Sequence, residues 1–301
     1  MENKHGLKLR LGFIGMGAMG SRMAGRLLDA GYDLSVYSRD RAHARPLEQR
    51  GAKIASTPRH LAESTDVILS SVADDSAVVN VMYGSDGALA AARSGTTFIE
   101  MSTISPELAR RLYESARSQG VAVLDAPVSG STPQAAEGQL VIFVGGDVSV
   151  YDRCQPILRV LAREAFYMGN AGSGAMMKLC VNTLLGLGMQ ALAEAVALGL
   201  KGGLERDRFL KALGDTAVLS PSQKSKLDNV SKGAFPATFP LRLMFKDFGL
   251  IMERAMQLSV AMPVTAAAAQ VYAMEHTRQS GGGRDEDFSA VIRTMQQLAG
   301  I

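Results

Sequence analysis

"GFIGMGAMGSRMAGRLLDAGYDLSVYSRD", Gly12 to Asp40, reads as an apolar strand, a glycine-rich turn, a helix and a second strand. Within it Gly15-Met16-Gly17-Ala18-Met19-Gly20 has the spacing G-x-G-x-x-G, in the strand-to-helix context that gives this pattern meaning. Each glycine has its own reason. Gly15 permits the tight turn, Gly17 lets the backbone approach a pyrophosphate, and Gly20 allows the helix to pack closely on the strand. The helix N-terminus then offers unpaired N–H groups to an anion. The stretch predicts a dinucleotide-binding βαβ unit.

The end of the second strand selects the dinucleotide. A carboxylate there would bond a free ribose 2′-hydroxyl and repel a 2′-phosphate. The strand instead leaves Tyr37 into Ser38 and Arg39. A serine hydroxyl and a guanidinium fork suit a phosphate, which favours NADP(H) over NAD(H). Asp40 lies beyond the strand tip, where it is expected to start the next helix.

The same alternation continues outward. Strands are expected at Lys8–Ile14, Asp33–Tyr37, Ala52–Ala55, Val67–Ser71, Thr97–Glu100, Val121–Asp125, Leu140–Val144 and Ala165–Met168, with helical patterns between most of them. Thr57-Pro58 and Ser105-Pro106 read as N-cap plus proline at the first helical position. This predicts an α/β fold: a mostly parallel, Rossmann-type sheet with helices on both faces. After Gly169 strand signals cease and Ser173 to Met295 is helical in pattern, broken near Gly202-Gly203, Ser220-Pro221, Phe235–Pro240, Pro263 and Gly281–Gly283. Two domains follow: residues 1–169, binding the cofactor, and residues 170–301, all-helical, joined by a long interdomain helix.

The chain of 301 residues is 47% apolar and 20% charged, with net charge +3 and no basic run, so no nucleic-acid partner is expected. Cys154 and Cys180 sit in apolar contexts and read as reduced, buried thiols. Met1–Leu7 carries no apolar signal segment. The apolar run Ala175–Leu200 contains Lys178, Asn182, Gln190 and Glu194, which suits a buried helix of a soluble protein better than a membrane span. No membrane association and a cytoplasmic location are the expectations. The histidines His5, His43, His60 and His276 lie outside every motif, and no cluster has metal-ligand spacing, so no metal is expected.

A second constellation is "GNAGSGAMMKLCVN", Gly169 to Asn182. Lys178 and Asn182 are four residues apart and share one helix face that is otherwise apolar. With the blocks "DAPVSGSTPQAAEGQL" (Asp125–Leu140), "FKD" (Phe245–Asp247), "EMSTISP" (Glu100–Pro106) and "DEDFSAVI" (Asp285–Ile292), the chain resembles the β-hydroxyacid dehydrogenases, the family of 3-hydroxyisobutyrate dehydrogenase. The resemblance spans nearly the whole chain. "APVSGS" with "EGQL", and "FPLRLMFKD", resemble the branch of glyoxylate and succinic semialdehyde reductases, whereas Gly145-Gly146 resembles the hydroxyisobutyrate branch. Arg26 stands where relatives usually have asparagine.

The resemblance implies roles residue by residue. Lys178 is the catalytic lysine, protonating the nascent alkoxide in reduction. In oxidation it must start neutral, which burial and an oxidised nicotinamide nearby both favour. Asn182 orients the substrate. Ser129 and Gly130 form the turn that binds a substrate carboxylate, and Ser131 adds a donor. Thr103 faces nicotinamide and substrate; Val72, Ala73 and Asp74 flank the adenosine side. Phe239 and Asp247 close the site from the helical domain, and Lys246 lies near the cofactor. A small carboxylate-bearing substrate and a homodimer or homotetramer are implied. Two other readings stand beside this one: an imine reductase on the same fold, which usually replaces the lysine, and a non-catalytic cofactor-binding homologue, which loses it. Retention of Lys178 and Asn182 favours the dehydrogenase. A 6-phosphogluconate dehydrogenase would need a larger helical domain and a basic phosphate pocket.

Overall fold

The computed structural model describes residues 9–280 and 285–301. Met1–Leu7, Lys8 and the break at Gly281–Gly283 lie outside the described residues. The chain divides into two compact units, Met1–Lys178 and Leu179–Ile301. The division falls inside one continuous helix, which contributes to both.

The first unit holds β1 (Arg10–Ile14), α1 (Gly20–Asp29), β2 (Asp33–Tyr37), α2 (Arg45–Glu48), β3 (Lys53–Ile54), α3 (Pro58–Ser64), β4 (Val67–Ser70), α4 (Asp75–Tyr83), β5 (Thr97–Glu100), α5 (Pro106–Arg117), β6 (Ala122–Asp125), β7 (Val128–Ser129), α6 (Thr132–Glu137), β8 (Leu140–Gly146), α7 (Val148–Leu161) and β9 (Ala162–Gly169). The sheet runs β3-β2-β1-β4-β5-β6, parallel throughout, then β8 and β7, with β9 also on β8. Strand order reverses about β1, so β1 and β4 flank the switch point at which such sheets bind ligands. Side chains alternate across the pleat. Leu11 and Phe13 pack with Met23 and Leu27 of α1 and Leu158 of α7. Ile14 and Ile68 pack with Leu61 of α3 and Leu112 of α5. The two faces thus bury separate cores beneath helices.

Thr57 and Ser105 cap α3 and α5, accepting from His60 N–H at 3.0 Å and Leu108 N–H at 3.2 Å. Several details differ from expectation. β7 was too short to show a period and pairs antiparallel with β8, as does the end of β6. β9 starts at Ala162 rather than Ala165, because most of its residues are exposed and give no alternation. Cys154 is buried, but Cys180 is exposed, lying off the helix stripe that buries Leu179 and Asn182.

The second unit follows from α8 (Ser173–Lys201) through α9 (Arg206–Asp215), α10 (Pro221–Lys224), α11 (Leu227–Lys232), α12 (Leu241–Gln257), α13 (Pro263–Ser280) and α14 (Val291–Leu298). Its core joins Leu179, Met189 and Val196 to Phe248, Tyr272 and Phe288. Two isolated bridges, Pro236 with Glu286 and Pro240 with Asp287, are its extended pairings among the described residues. By length and composition α8 could cross a membrane. It also carries buried Asn182 and Gln190.

Candidate active site

Ile14, Tyr37, Ser70, Glu100 and Asp125 form one row in register across β2, β1, β4, β5 and β6. The loops after these strands therefore leave from one edge of the sheet. They hold Gly15–Met19, Ser38–Arg39, Val72–Asp74 and Thr103, while the chain after β6 passes through β7 to Ser129–Ser131.

Gly15 has φ near 99°, and a Cβ there would lie 2.2 Å from the Ser71 carbonyl. A Cβ on Gly20 would meet the Gly15 carbonyl at 1.9 Å, so only glycine lets α1 start this close to the strand. Gly17 differs: nothing lies within 4 Å of where its Cβ would be. Its backbone borders open space, and Met19 begins α1 without a side-chain cap. This cradle fits a pyrophosphate. A cavity of about 650 Å³ adjoins the loop, lined among others by Gly17, Ala18, Arg22, His43 and Arg50. Ser38 is half-buried and Arg39 exposed at the tip of β2. Asp40 starts the next turn, accepting the Ala42 N–H at 2.9 Å.

The next two loops are stitched together. Val72 N–H donates to Ser102 Oγ at 2.8 Å, and Ser102 N–H donates to Glu100 Oε1 at 2.8 Å. Ser70 Oγ donates to the other Glu100 oxygen. Burial pushes the Glu100 carboxyl up, against the lowering by these bonds. Asp74 caps α4 through the Ala77 N–H at 2.8 Å, and Asp75 holds Ser105. Val72, Asp74 and Thr103 thus sit on a braced rim. In the turn after β7, Gly130 has φ near 130°. Ser131 Oγ donates to Gln134 Oε1 at 2.8 Å. That hydroxyl is engaged within its own turn. Among the described residues the Ser129 hydroxyl has no such partner.

Lys178 is half-buried on α8. The helix start is held by Asp125, which accepts from Gly172 N–H and Ala175 N–H, each at 2.8 Å. Burial pushes the Asp125 carboxyl up, opposed by these N–H groups.

In the second unit Asn182 is fully buried and donates to Asp247 Oδ2 at 2.5 Å. Lys246 lies 2.8 Å from Asp247 Oδ1, an ion pair rather than a directed hydrogen bond. The Asn182 carbonyl oxygen is buried without a hydrogen-bond partner. Phe239 packs edge-on against Phe288, ring centroids 5.6 Å apart, and its N–H donates to Asp287 at 3.1 Å. Asp287 also binds Lys226 at 2.8 Å. Glu100, Ser102, Asp125, Asp287 and Lys226 were not singled out from the sequence. Their signal was slight: a polar residue at a strand end, or within a block noted for other members. Among the described residues no group of three or more His, Cys, Asp or Glu is gathered for a metal.

A mostly parallel sheet with a glycine loop at its switch point has the geometry of a dinucleotide-binding domain. Residues 10–169 match the family described as the NAD binding domain of 6-phosphogluconate dehydrogenase. Residues 172–295 match the NAD-binding domain of NADP-dependent 3-hydroxyisobutyrate dehydrogenase. The chain is 35% identical to 2-(hydroxymethyl)glutarate dehydrogenase of Eubacterium barkeri, covering 97% of each. It is 33% identical to glyoxylate/succinic semialdehyde reductase 1 of Arabidopsis thaliana, over 96% of this chain and 99% of that one. The solved 3-hydroxyisobutyrate dehydrogenase of Salmonella typhimurium superposes with TM-score 0.86 at 26% identity, over 95% of this chain and all of that one. The chain belongs to the β-hydroxyacid dehydrogenase family, NAD(P)-dependent oxidoreductases acting on CH–OH groups.

Proposed function

We propose that this chain is an NADP(H)-dependent reductase of small carboxylate-bearing aldehydes or keto acids, of the 3-hydroxyisobutyrate, succinic semialdehyde or glyoxylate type. The observation that carries the reading is the helix α8. Lys178 stands on it four residues before Asn182, whose amide nitrogen is fixed by Asp247 and whose carbonyl is left without a partner. A buried orphan acceptor is costly unless a ligand's donor meets it.

Gly15–Gly20 would hold the pyrophosphate, Ser38 and Arg39 the 2′-phosphate, and Val72–Asp74 with Thr103 the remaining rim; Lys246 is carried to the cofactor by the resemblance. When bound, the nicotinamide exchanges a hydride with the carbinol carbon. Lys178 gives a proton to the carbonyl oxygen as it becomes a hydroxyl, and takes it back in oxidation. The free amide oxygen of Asn182 can accept the hydroxyl hydrogen of the alcohol form and so orient that oxygen. The Ser129–Gly130 turn binds the carboxylate with a hydroxyl and backbone N–H groups. Phe239 and Asp247 are carried to the substrate by the resemblance alone.

We also infer a soluble, cytoplasmic homo-oligomer. Leu184, Ala191 and Leu198 recur every seven residues on the exposed side of α8, the two leucines 75% and 77% exposed. Such an apolar stripe suits burial against a second copy. Light scattering tests the oligomer. The activity is tested by following NADPH oxidation with glyoxylate, succinic semialdehyde, methylmalonate semialdehyde and tartronate semialdehyde. Turnover of none of the four would overturn the reading.

A further inference from the structure

Asp125 has no part in the roles above, yet it sits where three pieces of the first unit meet. It is 2% exposed, at the end of β6. We propose that Asp125 is a positioning residue: it clamps the start of α8 to the sheet and so sets the rotation and rise of Lys178. This rests on the proposed proton-transfer role of Lys178.

The first N–H groups of a helix have no acceptor within the helix. Here Asp125 Oδ1 takes the Gly172 N–H and Oδ2 takes the Ala175 N–H, both at 2.8 Å. Two oxygens on donors three residues apart fix the first turn in both rotation and height. Lys178 follows Ala175 by three residues, a rise of about 4.5 Å along the same axis. The clamp is one turn from the ammonium's Cα, with no flexible segment between. A carboxylate also suits the positive end of a helix, and its bonds to N–H groups are the stronger charge-assisted kind.

The surroundings leave the carboxylate no other place. A Cβ on Gly145 would lie 2.5 Å from Asp125 Oδ1. A Cβ on Gly174 would lie 2.3 Å from the Phe143 carbonyl and 2.6 Å from that of Asp125. β6, β8 and α8 are therefore in backbone contact around this side chain, and glycine is required on both flanks. The same residue leads through Ala126, Pro127 and Val128 into Ser129. Asp125 thus ties the proton donor and the anion-binding turn to one strand end. The separation a substrate must span, from carboxylate to carbonyl, is built on it.

The test is a double-mutant cycle between Asp125→Asn and Lys178→Ala, read as kcat for the best substrate of the panel and as NADPH affinity by fluorescence. Asparagine keeps the volume but offers one acceptor, and its amide hydrogens face the second N–H. Misplacing a catalytic group by about 1 Å can cost on the order of 100-fold. Asp125→Asn is expected to lower kcat about 10- to 100-fold while NADPH affinity stays within about twofold. Added to Lys178→Ala, it is expected to cost nothing further, because the group it positions is gone. An equal fractional loss in both backgrounds would show a general structural role and overturn the proposal. So would unchanged kcat in Asp125→Asn. If Lys178→Ala itself stays active, the lysine's role fails and this inference with it; if only Asp125→Asn is silent, the lysine's role stands. Should Asp125→Asn not purify folded, Gly145→Ala displaces the same carboxylate from the β8 side and enters the same cycle.

Discussion

Asn182 and Asp247, 65 positions apart in the chain, are joined by a 2.5 Å hydrogen bond with both side chains buried. The amide nitrogen is thereby assigned to the carboxylate, and the amide oxygen is turned to face a position with no protein partner. Lys246 neutralises the carboxylate from its other side at 2.8 Å.

Asp247→Ala would leave the Asn182 amide unheld and remove the ion pair with Lys246. Loss of a buried acceptor costs about 1–3 kcal/mol, so the urea midpoint should fall measurably. If Asn182 orients substrate, kcat/KM should drop by about tenfold or more, one decade per 1.4 kcal/mol. Asp247→Asn keeps an acceptor for the amide and should recover part of it. A variant with full activity and an unshifted midpoint would show that the pair does neither job.

Arg39→Ala should raise KM for NADPH by about one to two decades and leave NADH nearly unaffected. One charge-assisted phosphate bond contributes roughly 1.5–3 kcal/mol. Asp40 does not offset this, since its carboxylate is turned to the Ala42 N–H. Steady-state kinetics with both cofactors decide the matter. Equal or better efficiency of the unaltered protein with NADH would sink the preference.

The sheet was legible because its signals are local. Asp33–Tyr37 and Thr97–Glu100 are the strands expected from their apolar runs, and Thr57-Pro58 and Ser105-Pro106 cap helices as their chemistry dictates. An exposed edge strand needs no alternation, so the first three residues of β9, Ala162 to Glu164, carry no strand signal. The site divides along the same line. The turn at Gly15–Gly20 can be read because the backbone demands glycine there, and Lys178 with Asn182 because polar groups interrupt an apolar helix. Asp125, Glu100 and Asp287 could not be read in this way. Each is one acid with partners on other segments: Gly172 and Ala175 for Asp125, Ser70 for Glu100, Lys226 and Thr238 for Asp287. Nothing in the spacing of one chain announces such bonds.

Two buried acids should bend the stability curve in opposite directions. Burial pushes Asp287 up, but Lys226, Ser289 and backbone N–H groups outweigh it and hold its carboxyl below the ordinary 3.8. Its contribution is present above the unfolded value and is lost as pH falls through the lower folded value. Asp287→Asn should therefore flatten the acid limb of a denaturation series. Glu100 is raised from 4.5 by burial. A raised carboxyl opposes folding as pH rises from 4.5 through the folded value. Glu100→Gln, which can still accept from Ser102, should be no less stable at pH 8 than at pH 5 relative to the unaltered protein. A steeper loss at pH 8 would contradict the sign.

A substrate carboxylate should matter at Ser129. Its hydroxyl is unengaged by protein among the described residues, whereas the Ser131 hydroxyl is held by Gln134 at 2.8 Å. Ser129→Ala should raise KM for succinic semialdehyde with a small change in kcat, and Ser131→Ala should do much less. Butyraldehyde, which lacks the anion, should be poorer by orders of magnitude, because it leaves the turn's donors unpaired. Comparable turnover of the two aldehydes would remove the carboxylate site.

Lys178 should be the proton donor rather than a structural cation. It stands on a helix start fixed to the sheet by Asp125 through two 2.8 Å bonds, one turn ahead of Asn182. Removing a general acid costs about 10²–10⁴ in rate. Lys178→Ala should lose that much kcat and still bind NADPH, because the phosphate loop and Ser38-Arg39 do not involve it. Lys178→Arg should also be poor: guanidinium keeps its proton at any pH near neutral and cannot cycle between donor and acceptor. NADPH fluorescence titration, kcat and melting temperature on the purified variants separate these outcomes. A folded Lys178→Ala that keeps more than about a tenth of kcat would place the proton transfer on another group.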